Sequence, residues 1–96
     1  MEYISICEWN KFQHYKHRNP PWVKLYTKIL DDDEFHFLSD GSKLLFMSLL
    51  VFASRRKNKV RYDLDWLQRK LPINAPISRE MIDQLVKARF VEVTSE

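Results

Sequence analysis

The run Leu44-Leu45-Phe46-Met47-Ser48-Leu49-Leu50-Val51-Phe52-Ala53 constrains this chain more than any other feature, since nine of its ten residues are apolar. A surface helix keeps one apolar stripe and one polar face. A helix that is apolar almost all round belongs at the centre of a core or at a subunit interface. Crossing a bilayer takes about 20 such residues, so a run of this length reads as a buried element rather than a membrane span. Ser39 or Asp40 can cap it, which predicts a helix over 41–54. The 96 residues suffice for one domain and one core built round that helix.

The flanking segments supply what would cover it. Tyr3 to Cys7 alternates, with Ile4 and Ile6 on one side, and reads as a strand. A polar, aromatic-studded connector follows from Glu8 to Arg18. Asn19-Pro20-Pro21 then reads as a helix start, and Trp22, Leu25, Tyr26, Ile29 and Leu30 recur at helical spacing. That helix is expected to end at the acidic run Asp31-Asp32-Asp33-Glu34, which opposes a helix C-terminal dipole. Beyond residue 54, Arg55 to Lys59 reads as a turn and Val60 to Tyr62 as a very short strand. Asp63 caps a helix from Leu64 to about Leu71, with Leu64, Leu67 and Leu71 inward and Trp66 off that face. Pro72 to Pro76 must turn. Ser78 caps a last helix with Ile82, Leu85 and Val86 inward, and Phe90 to Thr94 alternates as a strand.

Helix, short strand, helix, turn, helix, strand is the order of a winged helix, a helix-turn-helix backed by a small sheet. The expected fold is therefore mainly α with a small β-sheet, a winged helix-turn-helix forming a single domain over 1–96. Residues 1–18 would be the N-terminal strand and connector, and 40–94 the core, with the helix-turn-helix at 63–71 and 78–88. A second wing strand would fall after Glu96. Either Tyr3–Cys7 takes the third place in the sheet, or the chain is the N-terminal part of a longer protein.

Several functions are excluded. Phosphate-cradling loops need several glycines, and Gly41 stands alone. The lone Cys7 can form neither an internal disulfide nor a multi-thiolate zinc site. Met1 to Phe12 carries Glu2 and Glu8 and lacks a basic segment followed by an apolar one, unlike a secretory signal. Adjacent carboxylates such as Asp31 to Glu34 point in different directions and do not converge on a metal; capping and solvation explain them better. Cys7, His14 and His17, with His36, match no common zinc spacing. No catalytic arrangement stands out, so a non-enzymatic protein without cofactors is expected.

The residues also carry a family resemblance. Trp9-Asn10-Lys11-Phe12-Gln13-His14-Tyr15, followed by Arg18-Asn19-Pro20-Pro21-Trp22-Val23-Lys24-Leu25-Tyr26, resembles the opening of phage and prophage replication-initiation (replisome organiser) proteins. Phe35 to Lys43, Tyr62-Asp63 with Trp66-Leu67, and Phe90-Val91-Glu92-Val93 continue it over nearly the whole chain. The resemblance implies an N-terminal winged-helix domain, a role at DNA and a place in the bacterial host cytoplasm. One departure is Arg89, where a helix-ending glycine is expected before Phe90.

Charge is segmented. Residues 1–9 sum to −2, 10–30 to +5, 31–40 to −5, 41–70 to +6 and 71–96 to −1, within a net charge of +3. Two basic blocks separated by an acidic one give the asymmetry of a phosphate-facing surface. The densest cluster is Arg55, Arg56, Lys57, Lys59 and Arg61, which would track the backbone of double-stranded DNA without reading sequence. The same cluster also reads as a solvated turn. On the last helix Arg79, Gln84 and Lys87 would face bases or phosphates, with Arg79 suited to guanine and Gln84 to adenine, while Glu80 and Asp83 oppose groove entry. Trp9, Phe12, Tyr15 and Trp22 among basic residues resemble a stacking platform for single strands, but packing explains aromatics of this kind better. The competing function is a protein interaction module, in which helix 43–53 self-associates into a homo-oligomer or docks another replication protein. Phe46 or Met47 at the surface would favour it.

Overall fold

The computed structural model describes residues 1–12 and 21–96. Strand β1 (Glu2–Ile6) stands at the centre of a three-stranded antiparallel sheet, between β2 (Val60–Arg61) and β3 (Val91–Ser95). Tyr3 pairs with Arg61 and Ile4 with Val60 on one side; Ile4 pairs with Val93 and Ile6 with Val91 on the other. The alternation in β1 sends Ile4 and Ile6 into the core, where Val60 and Val91 join them. The strand expected at Tyr3–Cys7 therefore does take a third place in the sheet, one residue earlier, at Glu2–Ile6. β2 is short because its backbone leaves the ladder at Asn58, whose side chain continues the pairing. Asn58 Oδ1 accepts from the Ile6 amide at 2.7 Å, and its Nδ2 donates to the Ile6 carbonyl at 3.1 Å.

The described residues form four α-helices, α1 (Asp33–His36), α2 (Asp40–Ser54), α3 (Leu64–Lys70) and α4 (Arg79–Lys87), of which α2 and α4 pack on the sheet. The domain is mainly helical. Each N-terminus carries its own cap: Asp32 accepts from Phe35, Ser39 from Ser42, Asp63 from Trp66 and Ser78 from Met81. Such caps satisfy amides that the first helical turn leaves unpaired. Helix α2 forms the middle of the core, with Leu45, Phe46, Leu49, Leu50 and Ala53 buried against Leu67, Ile82 and Leu85. Phe46 also meets Phe90, Phe12 and Phe35, at centroid distances of 4.9, 6.3 and 6.3 Å. No helix among the described residues is long and apolar enough to cross a membrane.

The chain's one glycine faces a close but flexible neighbour. A Cβ at Gly41, in the first turn of α2, would stand 3.2 Å from Met81 Cε on α4. Close by, the Ser42 hydroxyl is fully buried and donates to Gln84 Oε1 at 2.6 Å. The turn between α3 and α4 is also fastened by one side chain. Gln68 donates to the carbonyls of Ile73 and Ala75 at 2.9 and 3.1 Å, and accepts from the Ile77 amide at 2.7 Å.

The helix expected from Pro20 to Asp31 does not form over its described part. Residues 22–26 are irregular, and only Thr27–Asp31 turns, as a 3-10 helix. Trp22, Leu25, Tyr26 and Leu30 are 44–73 % exposed rather than a core face. Two local effects oppose an α-helix: Trp22, Val23, Tyr26 and Thr27 are weak helix formers, and the Lys24 amide donates to the Phe12 carbonyl at 2.8 Å. Trp9 and Phe12 do pack on the core, whereas Trp22 is half exposed. Val86, expected inward, is also exposed at 38 %. The acidic run does not end a long helix; Asp32 starts α1 instead.

At Arg89 the backbone takes the conformation that the missing glycine would favour, with φ 64°. The Arg89 amide donates to the Val86 carbonyl and the Phe90 amide to that of Leu85, both at 3.0 Å. This pair of bonds is the Schellman closure of a helix end. Arg89 keeps that geometry at the cost of a left-handed non-glycine residue, about 1–2 kcal/mol.

Candidate nucleic-acid interface

The basic cluster is built on the exit from α2. The amides of Arg56 and Asn58 both donate to the Ala53 carbonyl, at 3.0 and 2.9 Å, which curls the chain back at the helix end. Lys57 and Asn58 then adopt φ 53° and 56°, and the Asn58 side chain locks the turn onto β1. Arg55, Arg56 and Lys57 are thus exposed on a short, fastened loop. None of the three has an acidic partner within ion-pair distance among the described residues.

The other two cations of the cluster are engaged. Lys59 Nζ lies 2.5 Å from Glu96 Oε2 and 4.3 Å from the Tyr3 ring centroid. The hydrogen bond with Glu96 raises its pKa above the usual lysine value, so it stays protonated at any physiological pH. Arg61 stacks at 4.5 Å on Trp66 and approaches Asp63 at 4.0 Å. Its Nε is buried with no hydrogen-bond partner among the described residues.

Trp66 organises this surface, although sequence reasoning left it without a place. Arg56 lies 5.2 Å and Arg61 4.5 Å from its ring, and the Phe52 ring packs beside it at 5.5 Å. Arg56 also covers Phe52 at 5.0 Å. Guanidinium–aromatic contacts hold a cation in place while leaving its N–H fork free for an oxyanion. The sequence carried a signal for this: Trp66 lies off the inward face of α3 and follows a cluster of arginines.

Helix α4 presents a different picture. Arg79 lies 4.9 Å from the Tyr62 ring, which places the start of α4 beside the end of β2. Burial raises the Tyr62 phenol's pKa, and the Arg79 charge opposes that shift. The Tyr62 hydroxyl is buried without a partner among the described residues. Gln84 points toward α2, where its amide oxygen accepts from Ser42 and, at 3.4 Å, from Ser39. Bidentate pairing with adenine needs that oxygen, so Gln84 does not present an adenine-reading edge in this arrangement. Lys87 is exposed near the far end, about 12 Å along the axis from Arg79. Glu80 and Asp83 are exposed between them.

Helix α2 leaves part of its apolar surface open. Phe46 is wholly buried, but Leu44, Met47 and Val51 are 45, 37 and 52 % exposed. His14 and His17, proposed above beside Cys7 and His36, lie outside the described residues, as do Tyr15, Arg18, Asn19 and Pro20. No group of three or more potential metal ligands occurs among the described residues.

Comparison with known proteins adds no relative: no family model, no curated protein and no solved structure matches the chain.

Proposed function

We propose that this chain is a winged helix-turn-helix domain that binds duplex DNA without catalysis. In that reading α3 and α4 are the helix-turn-helix, and β2, β1 and β3 are the supporting sheet. The eight-residue connection between the two helices, braced by Gln68, is longer than the usual three- or four-residue turn. The observation that carries the reading is the fastened turn Arg55-Arg56-Lys57, with three exposed cations that no carboxylate among the described residues neutralises. Arg61 beside Trp66 extends this surface, while Arg79 and Lys87 supply phosphate contacts from α4. Lys59 contributes less because Glu96 already pairs with it. Gln84 serves the α2–α4 contact.

The sequence resemblance supports a more particular role, the N-terminal module of a phage-type replication-initiation protein acting in the bacterial cytoplasm. Titration of the isotopically labelled chain with a duplex of about 20 base pairs, about two helical turns, tests the DNA reading by NMR. Amide shifts concentrated at 55–61, together with a shift of the Trp66 indole, are expected. Unchanged spectra at low salt, or shifts confined to another face, would falsify it.

A further inference from the structure

We infer that two copies of this chain associate through α2, antiparallel, about a twofold axis passing between Met47 and Ser48. Residues at spacings of three and four share a helix face, so Asp40, Leu44, Met47, Val51 and Arg55 form one stripe along α2. All five are exposed, and the Asp40 carboxylate is fully open to solvent apart from a loose 3.8 Å approach by Lys43. Read from the N-terminus, the stripe is acidic, then apolar three times, then basic.

Rotated end for end, that pattern matches itself. Leu44 meets the second copy's Val51, Met47 meets its counterpart, and Asp40 meets Arg55 at both ends. An isologous contact requires this self-complementarity, and a patch rarely has it in shape and charge sign together. Parallel pairing would set Asp40 against Asp40 and Arg55 against Arg55. Beside the C-terminal half of α2 lies a groove of about 390 Å³ lined by Met47, Val51, Phe52, Leu71 and Pro72. The antiparallel arrangement carries the second copy's Leu44 toward it, followed by Phe37, which is 88 % exposed.

The inference does not depend on DNA binding, so its test omits DNA. Sedimentation velocity of the full chain, from ~10 μM to ~1 mM, should show a concentration-dependent dimer, the range expected for a modest helix-pair contact. Val51→Asp should raise the dimer dissociation constant by about tenfold or more. Asp40→Arg should weaken it by about tenfold, and the exchange Asp40→Arg with Arg55→Asp should restore it to within about threefold. The altered positions are exposed, and circular dichroism confirms that each variant folds. A chain that remains monomeric throughout overturns the inference and leaves the stripe to a different protein. A dimer indifferent to Val51→Asp, or unrestored by the double exchange, overturns α2 as the interface.

Discussion

The turn after α2 and the helix α4 both carry basic residues toward solvent, yet they use them differently. In the turn, a curled backbone and one side-chain amide do the fastening. Two left-handed residues and the Asn58 amide hold the loop, which leaves Arg55, Arg56 and Lys57 unpaired. In α4, side chains and a backbone closure do it. Ser78 caps one end, Gln84 ties the middle to Ser42, Ile82 and Leu85 fill the core, and Arg89 closes the other end. Its exposed face then sets Arg79 and Lys87 against Glu80 and Asp83. Exposed cations therefore stand clear of carboxylates in the turn, among the described residues, and side by side with exposed carboxylates on α4. The turn is the stronger claimant for phosphate contacts because no carboxylate among the described residues pairs with its charges.

That contrast can be broken by mutation. Replacing Arg55, Arg56 and Lys57 together with Ala should have the largest effect: weaker binding to every duplex alike, and a salt slope shallower by about 2.7, as three lost phosphate contacts require. Unchanged affinity would move the contact surface elsewhere. On the scaffold side, Gln68→Ala removes three hydrogen bonds from the α3–α4 connection and should cost about 2–3 kcal/mol, lowering Tm by about 10 °C or more. Gln84→Ala leaves the buried Ser42 hydroxyl without its acceptor and should cost about 1–2 kcal/mol. Its discriminating readout is base preference: if α4 is scaffold at this position, folding suffers while preference among duplex sequences is untouched. Smallest of all, Arg89→Gly should stabilise the fold by about 1 kcal/mol in a denaturant titration by relieving the left-handed arginine. A destabilised variant would contradict the closure drawn for α4.

Sequence reasoning read residues 40–95 well and 21–36 poorly, for identifiable reasons. From Ser39 onward each helix announces itself with a local cap, and its buried face lies against the same core, so local and global preferences agree. In 22–30 the helical spacing of Trp22, Leu25, Tyr26 and Leu30 was present, but α2 and the sheet had already filled the core. A period without a surface to bury against does not make a helix. Long-range ties were invisible for another reason: Asn58 to Ile6, Lys59 to Glu96 and Ser42 to Gln84 join residues more than 35 positions apart. The cluster at 55–61 was legible as charge. Which of its cations remain unpaired, and that Trp66 lies between Arg56 and Arg61, depends on those distant contacts. Gln84 shows the same limit: it is exposed, as its spacing indicates, but the hydrogen bond that engages its amide oxygen with Ser42 is not visible in the spacing.

The proposed hold of the turn's cations on DNA rests on phosphate contacts. Its most direct test is the affinity of the unmodified chain for a duplex, measured from ~50 to ~300 mM salt. Counterion release predicts a linear fall of log K against log salt with a slope of about −3 or steeper, reflecting at least three phosphates neutralised. No detectable binding at the low-salt end, or an affinity indifferent to salt, would contradict the account.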